Sequence, residues 1–217
     1  MADRVIFDLD DTLYLERNFA FSGFNAVADH IAEKHNIMGF WGTCQMLFNK
    51  TDRTKILDEA LHHHGLTDIQ PVSELIDIYR NHEPQITLCP DAAHYLSSHG
   101  GPFGLITDGP ERTQHSKIKA LGLEPFCNPI IPTGQWPPGF GKPHPRAYQI
   151  IADIAAGQRC VYVADNARKD FVTPNQMGWL TIQILRPGRV HTGWPPDADH
   201  AAQIQITTLD QLDDVLS

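Results

Sequence analysis

Two acidic residues follow the first apolar run of the sequence at a spacing that suits acid–base chemistry. Asp8 and Asp10 come directly after residues 5–7, which have the character of a short buried strand. Two carboxylates this close repel each other, and the repulsion raises the pKa of one of them. Such a pair can supply one nucleophile and one proton-transfer group. Taken alone, such a motif is most often a solvated turn, but the buried strand and the intervening Leu9 favour a catalytic role for the two aspartates.

A possible anion site ends the second strand-like run, residues 103–106. Thr107 offers a hydroxyl, Gly109 permits close backbone approach, and a helix begins directly afterwards. A hydroxyl, backbone N–H groups and a helix N-terminus together form an anion site. An isolated Asp-Gly pair such as Asp108-Gly109 is nearly always a turn, so this motif alone decides nothing.

Charged residues that could complete the site follow two later strand-like runs of the sequence. Lys142 is held between a glycine and a proline within residues 141–145, and a cluster of carboxylates needs a cation. A single loop lysine is otherwise usually solvated. Asp165 and Asp170 follow residues 160–164, and their oxygens suit a hard cation such as Mg²⁺. Helix capping is the alternative for Asp165.

The elements that must position these side chains alternate between strand and helix. Short apolar runs separated by helical stretches predict an α/β fold with a Rossmann-like, doubly wound parallel sheet. Ligands bind such sheets at the carboxyl ends of the strands, where most of the candidate residues lie. Strands are predicted at residues 5–7, 103–106, 129–131, 160–164 and 180–184, with a weak strand at 203–206. Helices are predicted at residues 91–99, 111–121, 144–155, 168–177 and 208–216.

The segment between the first two strands is far longer than a crossover of about a dozen residues. Residues 16–86 read as helix throughout. We therefore predict an inserted all-helical cap domain at 16–86 and a catalytic core at 1–15 and 87–217.

Composition limits the possible partners. The formal net charge is −9, which disfavours nucleic acid and anionic membranes as partners. The four cysteines form no CxxC pair, which is typical of a reducing compartment. No signal peptide or long apolar stretch is evident. We expect a cytoplasmic protein, monomeric or homodimeric.

Four motifs in order make the chain similar to a known family. They are residues 8–13, residues 105–109, residues 141–145, and residues 163–166 followed by Asp170. Together they resemble the signatures of the haloacid dehalogenase (HAD) superfamily, phosphatase branch, over essentially the whole chain. Residues 16–86 resemble the helical cap of this superfamily.

The resemblance implies roles for the catalytic residues. Asp8 would attack phosphorus and become an aspartyl phosphate, while Asp10 would protonate the leaving alcohol and then activate water. Thr107 and Lys142 would hold the phosphoryl oxygens together with nearby backbone N–H groups. The expected function is a magnesium-dependent phosphatase for a small phosphorylated metabolite, such as a sugar phosphate or a nucleotide.

The resemblance also implies a metal site and substrate contacts. Mg²⁺ would be held by Asp8, Asp165 and the main-chain carbonyl of Asp10, with Asp170 in a supporting role. Further phosphate contacts are assigned to Leu9, Asp108 and Gly109 in the core. In the cap we choose Arg53 as a substrate contact, because it lies near a predicted helix start from which a loop could point inward; a solvated surface charge is the alternative.

Alternatives stay open at this stage. A phosphomutase or a dehalogenase would share the fold, and a non-catalytic phosphate-binding protein would share the site without turnover. Arg112, Gln114 and Lys117 follow the second motif on a helix, and we expect them at the surface.

Overall fold

The structure, a computed structural model, describes residues 3–50 and 53–217. It consists of two units. An α/β unit contains the chain up to Arg17 and again from Ile86 onward, and a helical unit contains Asn18–Gln85.

The α/β unit is built on one parallel sheet of six strands in the order β3-β2-β1-β4-β5-β6. The predicted α/β class with a doubly wound parallel sheet is confirmed. The strands are β1 Arg4–Phe7, β2 Phe103–Thr107, β3 Cys127–Pro132, β4 Cys160–Ala164, β5 Leu180–Ile184 and β6 Ile204–Ile206.

Helices supply the rest of the regular structure. The helical unit is formed by most of α1 Glu16–His35 and by α2 Phe40–Phe48, α3 Ile56–His63 and α4 Val72–Asn81. The α/β unit contains α5 Pro90–His99, α6 Glu111–Ala120, α7 Arg146–Ala155, α8 Val172–Gln176 and α9 Leu212–Leu216. In the part of the chain that the structure describes, no helix combines the length and the apolar character that crossing a membrane would require.

The central strands explain why the sheet could be read from the sequence. Every residue of β4 is buried, as is every residue of β5 except the partly exposed Leu180. A strand covered on both faces has no polar side to alternate with, so β4 appears as a continuous apolar run, whereas β5 also contains Thr181 and Gln183. The observed bounds of both strands match the predicted ones.

The register of the sheet brings the candidate residues to one edge. Phe7 at the end of β1 lies opposite Leu105 on one side and Val163 on the other. The residues that follow these three strands therefore emerge side by side, as expected for parallel strands.

Several predicted elements differ in detail. The helix predicted over 168–177 is confined to α8, because Lys169 and Asp170 first form a turn onto the carbonyl of Asn166. The predicted helix 208–216 begins as a short 3₁₀ turn, Leu209–Gln211. Residues 16–86 are not one continuous helix, since left-handed Gly39 and Gly65 separate successive helices.

Candidate active site

The first motif forms a tight loop at the end of β1. The N–H of Asp8 donates to the carbonyl of Val163 at 2.9 Å, which extends the pairing of β1 with β4. The Leu9 carbonyl accepts the N–H groups of Thr12 and Leu13 at 3.3 and 3.0 Å. The Leu9 side chain is fully buried, so only its backbone is available to a ligand.

Lys142 lies at the centre of a buried charge cluster. Its ammonium group contacts Asp8 Oδ1, lies 2.7 Å from Asp170 Oδ1 and donates to the Tyr162 hydroxyl at 3.1 Å. Burial opposes its charge, but the carboxylates of Asp170 and Asp8 raise the pKa of Lys142 well above its usual value. The lysine therefore stays charged. It is not the solvated loop residue that the sequence left as an alternative.

Three carboxylates converge beside this lysine. Asp8, Asp165 and Asp170 each offer an oxygen, and these oxygens lie within 4.8 Å of one another. Burial, followed by repulsion from Asp170 and Asp8, raises the pKa of Asp165 to about 10. Burial also raises the pKa of Asp8 to about 6, against the opposing charge of Lys142. A bound cation would stabilise these three carboxyl groups in their charged forms.

The donor chemistry supports a divalent metal at this cluster. Among the residues that the structure describes, the buried Oδ2 of Asp165 has no hydrogen-bond partner. Oxygen ligands of this kind suit hard cations. Asp8 and Asp165 would hold the ion together with the main-chain carbonyl of Asp10. Asp170 would support it, since its oxygens are engaged by Lys142 and by the N–H of Asn166.

The carboxylate of Asp10 is paired with Lys117, a contact that does not test the predicted role of the Asp10 main-chain carbonyl. The Lys117 ammonium lies 2.7 Å from Asp10 Oδ1, and the Tyr14 hydroxyl donates to the same oxygen. Burial alone would raise the pKa of Asp10, but Lys117 and Tyr14 lower it. The two aspartates of the first motif therefore have different environments, with the pKa of Asp8 raised and that of Asp10 lowered.

The expectation that Gln114 and Lys117 lie at the surface is wrong. Both are buried on α6, whereas Arg112 is exposed as predicted. A signal was available, because Ile118 and Leu121 lie on the same helical face. Residues three and four positions apart share a face, so an apolar residue one turn away indicates burial.

The second motif is partly engaged by contacts within the protein. The buried Thr107 hydroxyl donates to Gln114 Oε1 at 3.0 Å. Gly109 has φ of 135°, a backbone conformation that strongly favours glycine. A side chain at this position would also collide with the Gln114 amide. Gln114 thus contacts the predicted anion loop at both Thr107 and Gly109.

Asp108 connects three loops of the site. Its Oδ1 accepts the Thr133 hydroxyl at 2.6 Å and the backbone N–H of Lys142 at 3.1 Å, while Oδ2 lies 3.2 Å from Lys169. Burial opposes ionisation, but Lys142 and Lys169 lower the pKa of Asp108. Lys169 was not singled out from the sequence, because its partner lies on a distant loop.

Arg53 belongs to the helical unit. Its side chain is exposed and donates from Nε to the Phe48 carbonyl at 2.8 Å, with the guanidinium 4.8 Å from the centre of the Phe48 ring. The structure therefore shows how Arg53 is held within its own unit.

Comparison with known proteins adds to this geometry. A family model for haloacid dehalogenase-like hydrolases matches residues 2–178. Glyceraldehyde 3-phosphate phosphatase from Methanocaldococcus jannaschii is 28% identical over 200 residues, which cover 86% of each chain.

Solved structures share the fold along the whole chain. The magnesium-bound YfnB from Bacillus subtilis is 19% identical with a TM-score of 0.68, and the match covers 99% of this chain and 98% of that one. A HAD phosphatase from Thermococcus onnurineus is 20% identical with a TM-score of 0.58, covering 100% and 98%.

Proposed function

This chain belongs to the haloacid dehalogenase-like hydrolase family, and from that premise we propose that it is a magnesium-dependent phosphatase acting on a small phosphomonoester. The predicted family and the predicted hydrolase class are confirmed. The observation that carries the proposal is the buried cluster in which Lys142 contacts Asp8 and Asp170, with Asp165 alongside.

In the proposed first step, Asp8 attacks phosphorus. Its oxygen forms a bond to phosphorus while the bond to the leaving alcohol breaks, and the electron pair goes to the alcohol oxygen. Asp10 supplies the proton that this oxygen needs. Lys142 orients Asp8 and offsets its charge. Thr107, with the backbone of Leu9, Asp108 and Gly109, lines the phosphoryl oxygens.

In the second step, water attacks phosphorus and the bond to Asp8 breaks. Asp10 accepts the proton of that water. Lys117 lowers the pKa of Asp10, which favours the carboxylate that this step requires. A phosphoryl dianion adds negative charge beside Asp10, which raises its pKa and promotes proton uptake before the first step.

Mg²⁺ held by Asp8, Asp165 and the main-chain carbonyl of Asp10, with Asp170 in support, would neutralise phosphoryl charge, which is the main demand of phosphoryl transfer. The acidic cluster and the unpartnered Asp165 oxygen support a hard cation. The choice of magnesium is supported by its oxygen preference and by the magnesium in the similar YfnB structure.

The substrate class follows from the similar phosphatase of Methanocaldococcus jannaschii. We propose a small phosphorylated metabolite, and glyceraldehyde 3-phosphate is the first compound to test because it gives that relative its name.

The test is phosphate release from glyceraldehyde 3-phosphate, sugar phosphates and nucleotides in the presence of Mg²⁺. Asp8→Asn is expected to fold normally and to lose at least about a thousandfold in rate, because an amide does not attack phosphorus. Asp153→Asn changes an exposed carboxylate on α7 and serves as the matched control. Undiminished release by Asp8→Asn would contradict the proposal, and transfer of phosphate to a second sugar hydroxyl would indicate a mutase.

A further inference from the structure

A buried lysine is paired with the second aspartate of the first motif. Lys117 comes from α6, Asp10 from the loop after β1, and their charged atoms are 2.7 Å apart. The exposed fractions of the two side chains are 5% and 20%. Lysine is almost never buried without a partner. The buried ammonium group of Lys117 therefore depends on the carboxylate of Asp10.

The two oxygens of Asp10 have different surroundings. Oδ1 receives both the Lys117 ammonium and the hydroxyl of Tyr14, whose side chain is fully buried. Within the described ranges, 3–50 and 53–217, Oδ2 accepts no hydrogen bond. With one oxygen held by two donors from different elements, the carboxylate cannot rotate freely, and Oδ2 is the oxygen left for chemistry.

The position of Lys117 is itself set by the second motif. Gln114 lies three residues earlier on the same buried face of α6 and accepts the Thr107 hydroxyl. The register of α6 against β2 thus determines where the Lys117 ammonium lies. Lys142 cannot take over this task, because it is engaged by Asp8 and Asp170.

We propose that Lys117, assisted by Tyr14, is a positioning residue that fixes Asp10 so that Oδ2 performs proton transfer. The inference rests on the proposed function. In the first step the proton on Oδ2 moves to the leaving oxygen as its bond to phosphorus breaks. In the second step Oδ2 takes a proton from the water whose oxygen bonds to phosphorus while the bond to Asp8 breaks.

The test compares two esters of similar size that differ in their demand for an acid, phenyl phosphate and p-nitrophenyl phosphate. The value of kcat/KM reports the step that transfers phosphate to Asp8. Lys117→Met is expected to lower kcat/KM for phenyl phosphate by about 10- to 100-fold, within the range of general acid catalysis, and to change p-nitrophenyl phosphate little. Lys117→Arg keeps the charge and should recover most of the loss. Lys119→Met, exposed on the same helix, is the matched control.

A double-mutant cycle separates positioning from a purely structural role. In the Asp10→Asn background, Lys117→Met should cause almost no further selective loss, because the group that it positions is already disabled. If Lys117→Met does not fold, Tyr14→Phe removes the other donor to the same oxygen and should show a smaller loss of the same selectivity.

Equal loss on both esters, or a full loss that persists in the Asp10→Asn background, would overturn the inference. These results leave the proposed function intact as long as Asp8→Asn is inactive. An active Asp8→Asn would instead remove the proposed function and this inference with it.

Discussion

The ammonium group of Lys142 lies 2.7 Å from Asp170 Oδ1, and neither side chain is exposed to solvent. The other oxygen of Asp170 accepts the backbone N–H of Asn166 at 3.0 Å. Both oxygens of Asp170 are therefore engaged by the protein, whereas Asp165 retains a buried oxygen that accepts no hydrogen bond from the described residues. The two aspartates should contribute differently to metal binding.

Asp165→Asn is expected to weaken Mg²⁺ binding more than Asp170→Asn does. Loss of a supporting partner typically costs about 10- to 100-fold in metal affinity, and loss of a direct ligand should exceed that range. Asp170→Asn should lower turnover at saturating Mg²⁺ as well, because Lys142 loses one of its two carboxylates. Calorimetric titration with Mg²⁺ and saturation kinetics measure the two effects separately. Equal losses of affinity in the two variants would contradict this division.

Removal of the metal should abolish activity. Phosphate release is expected to stop in EDTA and to return with excess Mg²⁺. Ca²⁺ should inhibit, since its larger and more flexible coordination shell can misplace the nucleophile Asp8. The measurement is phosphate release at fixed substrate with each ion. Full activity in EDTA would contradict the proposed dependence on magnesium.

The Arg53 prediction concerns the helical unit and the choice of substrate. A charge-assisted hydrogen bond is worth about 1.5–3 kcal/mol, so Arg53→Ala should lower kcat/KM for the preferred substrate by about ten- to a hundredfold. Hydrolysis of p-nitrophenyl phosphate should barely change. Arg80→Ala, an exposed arginine of the same unit, is the matched control. Equal loss on both substrates would assign Arg53 to folding, where its contacts with Phe48 would account for the effect.

Much of the site could be predicted because its residues follow buried parallel strands. Asp8 and Asp165 come directly after β1 and β4, and those strands are recognisable as apolar runs without any tertiary information. Parallel pairing then places their carboxyl ends together. Lys142 could be predicted only as the cation that an acidic cluster requires.

Other parts depend on contacts that local patterns do not contain. Lys117 and Asp10 are separated by 107 positions in the sequence, so their pairing is a product of the fold. The predicted strand 129–131 is shorter than β3, Cys127–Pro132, because the polar Asn128 separates Cys127 from the apolar run. The pairing of β3 with β2 is irregular in the same region. Proline removes a ladder donor, which is typical of edge strands such as β3.

The last prediction concerns acid stability and a buried ion pair behind the catalytic loop. Asp91 lies in the first turn of α5. Each of its two carboxylate oxygens lies 2.9 Å from Nη1 of Arg186, and Oδ2 also accepts the N–H of Leu209 at 2.7 Å. Arg186 in turn donates from Nε to the Thr12 carbonyl at 2.7 Å. This pair therefore links α5, the end of β5 and the loop that carries Asp8.

Asp91→Asn should destabilise the fold by about 3 kcal/mol at neutral pH, because Arg186 is left buried without its carboxylate. For a chain of this size that corresponds to a decrease in Tm of about 6–12 °C.

Burial alone would raise the pKa of Asp91, but the Leu209 N–H and Arg186 hold it below its usual value. In the window between this lowered pKa and the unfolded value of about 3.9, the unfolded chain binds more protons, so stability increases with pH. The contribution of Asp91 is therefore complete above about pH 4 and is lost as the pH falls through the folded pKa.

Urea unfolding between pH 3 and pH 7 should show the free energies of unfolding of the wild type and Asp91→Asn converging at the acid end. Asp213→Asn removes the exposed partner of His99 and should leave the unfolding midpoint unchanged. A difference between wild type and Asp91→Asn that stays constant across this range would show that the charge of Asp91 is not the source of its contribution.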